Sequence, residues 1–141
     1  MTIIIDLGIK REMYFNKEYD ITLMELNEKD KIKEYLELDD NLFQDNIEKN
    51  NIEKNKSIYI LHYPNEKEAK VSYGLLNIID KYYIIHNCST DIVSSGSPIL
   101  NLKSNKVIGI HNKGSNNYII GTLLKFPLKD FINKMEKKIK N

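Results

Sequence analysis

Hydrophobic and polar positions divide this chain into a β-patterned stretch, an amphipathic tail and a less regular front. From Ser57 onward, apolar and β-branched residues come in short runs with turn residues between them. The runs are Ser57–Tyr63, Val71–Leu76 within residues 69–79, Lys81–His86, Pro98–Leu102, Val107–His111 and Tyr118–Leu123. Pro64-Asn65, Lys103–Lys106 and Asn112–Asn117 read as turns. Short β-rich runs bounded by turn signals predict strands, and six of them in succession predict a sandwich or barrel. After Pro127 the pattern changes. Leu128, Phe131, Ile132, Met135 and Ile139 recur at helical spacing, which predicts a helix over 127–139 with one apolar face on the barrel.

The front of the chain is less periodic. Residues 2–5 and 12–15 are short apolar or aromatic runs compatible with strands, with a turn at Gly8–Arg11 between them. Tyr19–Leu26 does not alternate cleanly, but its β-branched content favours a strand, with Asp20 at its entrance. Residues 27–56 are rich in Asp, Glu, Lys and Asn, and only Leu36, Leu38, Leu42 and Phe43 offer tethers to a core. Within them Asn46–Asn50 repeats at once as Asn51–Asn55, which reads as a duplication in a solvated loop.

Composition narrows the possibilities. The 141 residues suit one domain or slightly more. A net charge of +1 gives no field to steer nucleic acid. Lys134, Lys137, Lys138 and Lys140 crowd the tail, where they suit the negative end of a helix dipole better than a membrane or nucleic-acid patch. The lone Cys88 excludes an internal disulfide. No apolar run reaches the roughly 20 residues of a membrane span. The start of the chain does not read as a signal peptide, so a cytoplasmic location is expected for the chain as written. The His, Cys, Asp and Glu residues show no metal-ligand spacing, and no metal or other cofactor is expected.

The chemistry concentrates in Cys88–Leu100, where Ser94-Ser95-Gly96-Ser97-Pro98 forms a small-residue turn between apolar runs. Such a turn can present a hydroxyl on an exposed bend. A serine becomes a nucleophile when a base takes its proton, an orienting group holds the base, and donors await the oxyanion.

The order of segments around this turn resembles the C-terminal part of the trypsin-like serine peptidases. It is most similar to the glutamyl endopeptidase branch, through Ser94–Pro98 and the Gly-Ile-His strand Gly109–His111. The resemblance runs from about Tyr19 to the C-terminus. It implies an all-β fold, with a complete six-stranded C-terminal barrel and a C-terminal helix over residues 46–141. Residues 1–45 would be a remnant of an N-terminal barrel and the inter-barrel linker. It further implies Ser95 as nucleophile, Asp20 as orienting carboxylate, and the N–H groups of residues 93 and 95 as oxyanion donors. Thr90 and His111 would hold a substrate carboxylate, a task suited to a hydroxyl and an imidazole.

Three departures qualify the activity. The family's catalytic histidine lies upstream of the aspartate, whereas His62, His86 and His111 all follow Asp20. Val93 stands where the family has glycine, and a β-branched residue avoids the backbone angles glycine permits there. Losing one oxyanion donor costs about 10²–10³ in rate. Most of a first barrel is also absent from the sequence as given. The expectation is a serine-endopeptidase-type protein, glutamate-preferring, inactive as written, with a peptide or protein substrate and a pairing partner for the incomplete barrel. The alternative is a non-catalytic peptide- or protein-binding module on the same barrel.

Overall fold

A computed structural model describes residues 5–7, 10–43, 55–64, 68–89, 94–114 and 119–140. The six predicted barrel strands are present: β3 (Lys56–His62), β4 (Lys70–Asp80), β5 (Tyr83–His86), β6 (Pro98–Asn101), β7 (Val107–Gly114) and β8 (Ile119–Leu123). They close into one antiparallel barrel in the order β3-β4-β5-β8-β7-β6. Two three-stranded meanders therefore face each other, sealed where β5 meets β8 and β3 meets β6. Closure gives every barrel strand two neighbours, although Lys70–Gly74 at the start of β4 pair only with β3 among the described residues. The chain passes between the meanders once, through residues 87–97. The serine turn lies on that crossing.

Alternation builds the core. Ile58 and Ile60 on β3, Leu76 on β4, Ile84 on β5, Ile99 on β6, Ile108 on β7 and Leu123 on β8 are buried in it. Strand β4 departs from the usual scheme. Its inward positions at the start are Ser72 and Gly74, and its outward ones are Val71, Tyr73 and Leu75. A Cβ on Gly74 would stand 2.6 Å from Asn87 Oδ1 and 2.7 Å from the Cys88 amide nitrogen. Glycine is thus what lets Asn87 and Cys88 lie against this part of β4.

Ahead of the barrel, β1 (Met13–Asn16) and β2 (Ile21–Met24) form a two-stranded hairpin, β2 within its expected run and β1 one residue beyond the end of the run at 12–15. One face rests on helix α1 (Lys125–Lys140). Tyr14 Oη donates to Asp130 at 2.6 Å, and its ring meets Phe131 edge-on. Helix α1 begins two residues before Pro127. The proline falls in the first turn, where its missing N–H costs nothing.

Residues 37–43 lie across β6 and β7. Val107 donates to Glu37 O at 2.8 Å, and Asp39 donates to Val107 O at 2.9 Å. Leu42 is buried and Leu38 packs on the core, but Leu36 and Phe43 are largely exposed, so two of the four expected tethers hold. The expected strand at 2–5 falls outside the described residues except at Ile5. The expected 45/46 boundary and nearly all of the pentapeptide repeat lie in 44–54, also outside them. No described helix is long and apolar enough to cross a membrane.

Candidate functional site

Ser94–Ser97 is a β-turn closed by Ser97 N–H to Ser94 O at 3.2 Å. Gly96 holds φ +86, the third-position angle of a type II turn that glycine supplies without strain. Two backbone bonds to β7 fix the turn. Gly96 N–H donates to His111 O at 2.7 Å, and His111 N–H donates to Ser97 O at 2.8 Å. Ser95 is the exposed tip. Its hydroxyl donates to Asn112 O at 2.5 Å.

Beside it lies a shallow, open cleft of about 450 Å³, lined by Ser95–Pro98, Leu36, Leu61 and Tyr63, so Ser95 borders a largely apolar depression.

The structure brings Ser95 and His111 together through backbone. Asp20 is further away in the bonding network. It sits in the β1–β2 turn with φ +53 and an exposed side chain. Its neighbour Tyr19 accepts from Thr122 Oγ1 at 2.9 Å, and Thr122 Oγ1 accepts from Asn112 Nδ2 at 3.1 Å. The turn bearing Asp20 is therefore linked through Thr122 to Asn112, the residue whose carbonyl receives the Ser95 hydroxyl. No hydrogen bond or ion pair joins the Asp20 carboxylate to Ser95 or His111 among the described residues. Thr90 and Val93 lie outside those residues.

All three histidines lie inside one end of the barrel, at 2–3% exposure. His62 Nδ1 is 2.9 Å from Ser94 Oγ, and its Nε2 is 2.9 Å from Ser72 Oγ. His86 Nδ1 accepts from Cys88 N–H at 3.2 Å, which puts the proton of the neutral ring on Nε2. The His86 and His111 rings meet edge-on, with centroids 5.7 Å apart. His86 Nε2 and His111 Nδ1 are buried without a hydrogen-bond partner among the described residues.

Burial lowers the pKa of His86 to about 4, with help from the neighbouring His111. Burial also lowers His111, to which His62 adds. Both are neutral near pH 7. Burial pushes the Cys88 thiol up to about 11, so it is no thiolate nucleophile.

The sequence reading had these histidines on strands without grouping them. Parity was the available signal. His62 shares its face of β3 with Ile58 and Ile60, and His86 shares its face of β5 with Ile84. Ser94, read as mere turn, proves to be the buried partner of His62. No group of three or more metal-ligating side chains is assembled among the described residues. No protein-family model and no curated protein matches the chain.

Proposed function

We propose that this chain is a trypsin-like serine-endopeptidase-type barrel whose cleft takes a peptide, with preference for glutamate, and whose serine is catalytically silent as it stands. The observation that carries this reading is the Ser95 hydroxyl. It is exposed on a rigid turn beside a cleft, yet it donates to the carbonyl of Asn112. A neutral carbonyl holds a hydroxyl but does not take its proton, so Ser95 lacks the base that a nucleophilic serine requires. Among the described residues no side chain bonds the Ser95 hydroxyl as a base, and His62 is engaged by Ser94 and Ser72.

In a competent arrangement Ser95 Oγ would attack the scissile carbonyl as a base takes its proton. The acyl-enzyme would form with loss of the amine, and water would then release the acid. Asp20 would orient the base, while the N–H groups of Ser95 and residue 93 would face the oxyanion. Thr90 and His111 would hold the substrate carboxylate. The unpaired Nδ1 of His111 supports that last role.

Incubation with a fluorophosphonate probe tests the silent serine. Labelling no greater than that of Ser95→Ala is expected, and labelling that Ser95→Ala abolishes would refute silence.

A second reading, a non-catalytic peptide- or protein-binding module, is favoured by the apolar walls that remain without an activated serine. Calorimetry with Glu-ended peptides should give heat that His111→Ala removes. Absent heat with both proteins would count against a carboxylate-holding cleft. The outward Met13 and Phe15 of β1 offer a further polypeptide a place to pair with the hairpin.

A further inference from the structure

A strand solvated on one face alternates apolar with polar residues. The start of β4 reverses that rule. Ser72 and Gly74 face inward, while Val71, Tyr73 and Leu75 face out at 44%, 65% and 37% exposure. Pairing with β3 sets Leu61 beside Val71 and Tyr59 beside Tyr73. The Tyr59 and Tyr73 rings lie 6.1 Å apart. The outside of the β3–β4 hairpin is therefore a strip of aliphatic and aromatic side chains.

The register that exposes this strip is held firmly. Ser72 Oγ bonds His62 Nε2 at 2.9 Å, and any side chain at Gly74 would meet the Cys88 backbone. Sliding β4 by one residue would turn its apolar set inward but would put a side chain at position 74 into Asn87 and Cys88. The outward face thus follows from packing that the barrel end requires.

The strip runs into the cleft. Leu61 belongs to both, and Tyr63, next but one along the chain, forms the cleft wall. Two strands about 4.8 Å apart, with outward residues spread over five positions, give a surface roughly 10 Å by 17 Å. That is about 170 Å², well short of the ~800 Å² per partner of a stable protein interface. It does match the side-chain row of one extended peptide. Within the strip, Val71–Gly74 of β4 pair only with β3 among the described residues, because the pairing with β5 begins at Leu76, so a ligand there meets outward side chains beside an open stretch of β4 edge. Tyrosine suits the task, because it offers large rigid area with a polar tip.

We propose that the strip of Tyr59, Leu61, Val71, Tyr73 and Leu75 is an exosite for an extended polypeptide segment bearing aliphatic and aromatic side chains, continuous with a peptide bound in the Ser95 cleft. This rests on the reading of that cleft as a peptide site. The exosite selects the sequence flanking the residue held at the cleft.

Fluorescence anisotropy with two sets of labelled peptides tests it. All share a Glu-containing core. One set carries alternating Leu and Tyr on the N-terminal or the C-terminal side, and the other carries alternating Ser and Gly. Binding about ten-fold tighter for an apolar flank on one side is expected. Tyr73→Ser and Val71→Ser should remove that advantage at unchanged melting temperature, and Val71→Thr, which keeps the β-branched shape, guards against a folding defect. His111→Ala should weaken both sets alike. Loss of that His111 effect alone would overturn the cleft reading and leave the strip standing. Equal binding of the two sets, no binding of either, or an advantage that survives the strip variants would overturn the exosite. So would concentration-dependent dimerisation of the free protein that the strip variants abolish, since the strip would then be a contact between copies.

Discussion

Asp39 shows how one buried charge organises a segment with few apolar anchors. Its Oδ2 accepts from Asn101 Nδ2 at 2.9 Å and Ser104 Oγ at 3.0 Å, and its Oδ1 accepts from the backbone and side chain of Asn41. Burial raises its pKa, but these donors outweigh burial and leave the carboxyl below its usual value. Asp39→Ala would strand the Asn101 amide in the interior, and an orphaned buried donor costs roughly 1–3 kcal/mol. Urea unfolding should show a loss in that range, with Asp40→Ala, an exposed neighbour, close to wild type. This residue was not legible in the sequence. Asp39 is one acid among many in residues 27–56, and Asn101 is 62 positions away. Ser95 was legible as a serine on a bend, because Gly96 fixes the turn locally. The partner of its hydroxyl was not, since Asn112 reaches it only through the β6–β7 pairing.

At the scale of elements, the barrel strands and α1 could be read because each carries its own periodicity. The hairpin β1–β2 carries little. A two-stranded hairpin is marginal alone, and this one relies on α1. Tyr14 donates to Asp130, which also pairs with Lys134, and Lys138 reaches Glu12 at 2.6 Å. Burial and the Asp130 carboxylate raise the Tyr14 pKa to about 12. Its contribution is therefore complete below the ordinary tyrosine value near 10 and is lost as pH rises through 12. Tyr14→Phe keeps the ring against Phe131 and removes the bond to a charged acceptor, which is worth about 1.5–3 kcal/mol. Hydrogen exchange should then speed up in Met13–Asn16 and Ile21–Met24 with barrel amides unchanged. Uniform acceleration across both would show that hairpin and barrel open as one unit. The outward apolar face of β4 was illegible for a different reason. Val71, Tyr73 and Leu75 share one parity, the pattern of an inward face, and it is the close approach of Cys88 to Gly74 that marks the other face as inward.

For the whole molecule, two sets of groups resist acid in different windows. The histidines at the barrel end come first. His86 has its folded value near 4, against about 6.5 when unfolded. As pH falls below the unfolded value, the unfolded chain binds a proton that the native barrel refuses, so stability declines. The decline ends once the native ring protonates near 4, and at ~1.4 kcal/mol per unit it amounts to roughly 3 kcal/mol. His111, also lowered by burial, steepens the same window. The carboxylates follow. Arg11 forms two 2.7 Å bonds to Asp30, and with the Asn27 N–H it holds that carboxyl near 2. Its contribution is complete above the usual aspartate value and is lost as pH falls toward 2. Stability measured by urea unfolding from pH 7.5 to 3 should therefore fall in two stages. His86→Gln should flatten the slope between pH 6.5 and 4 whatever its effect on absolute stability. Asp30→Asn should flatten only the slope below the usual aspartate range. A His86→Gln protein with an unchanged slope between pH 6.5 and 4 would mean that the ring takes up its proton in the folded barrel near its ordinary value, with water or a moved Cys88 amide relieving the buried cluster.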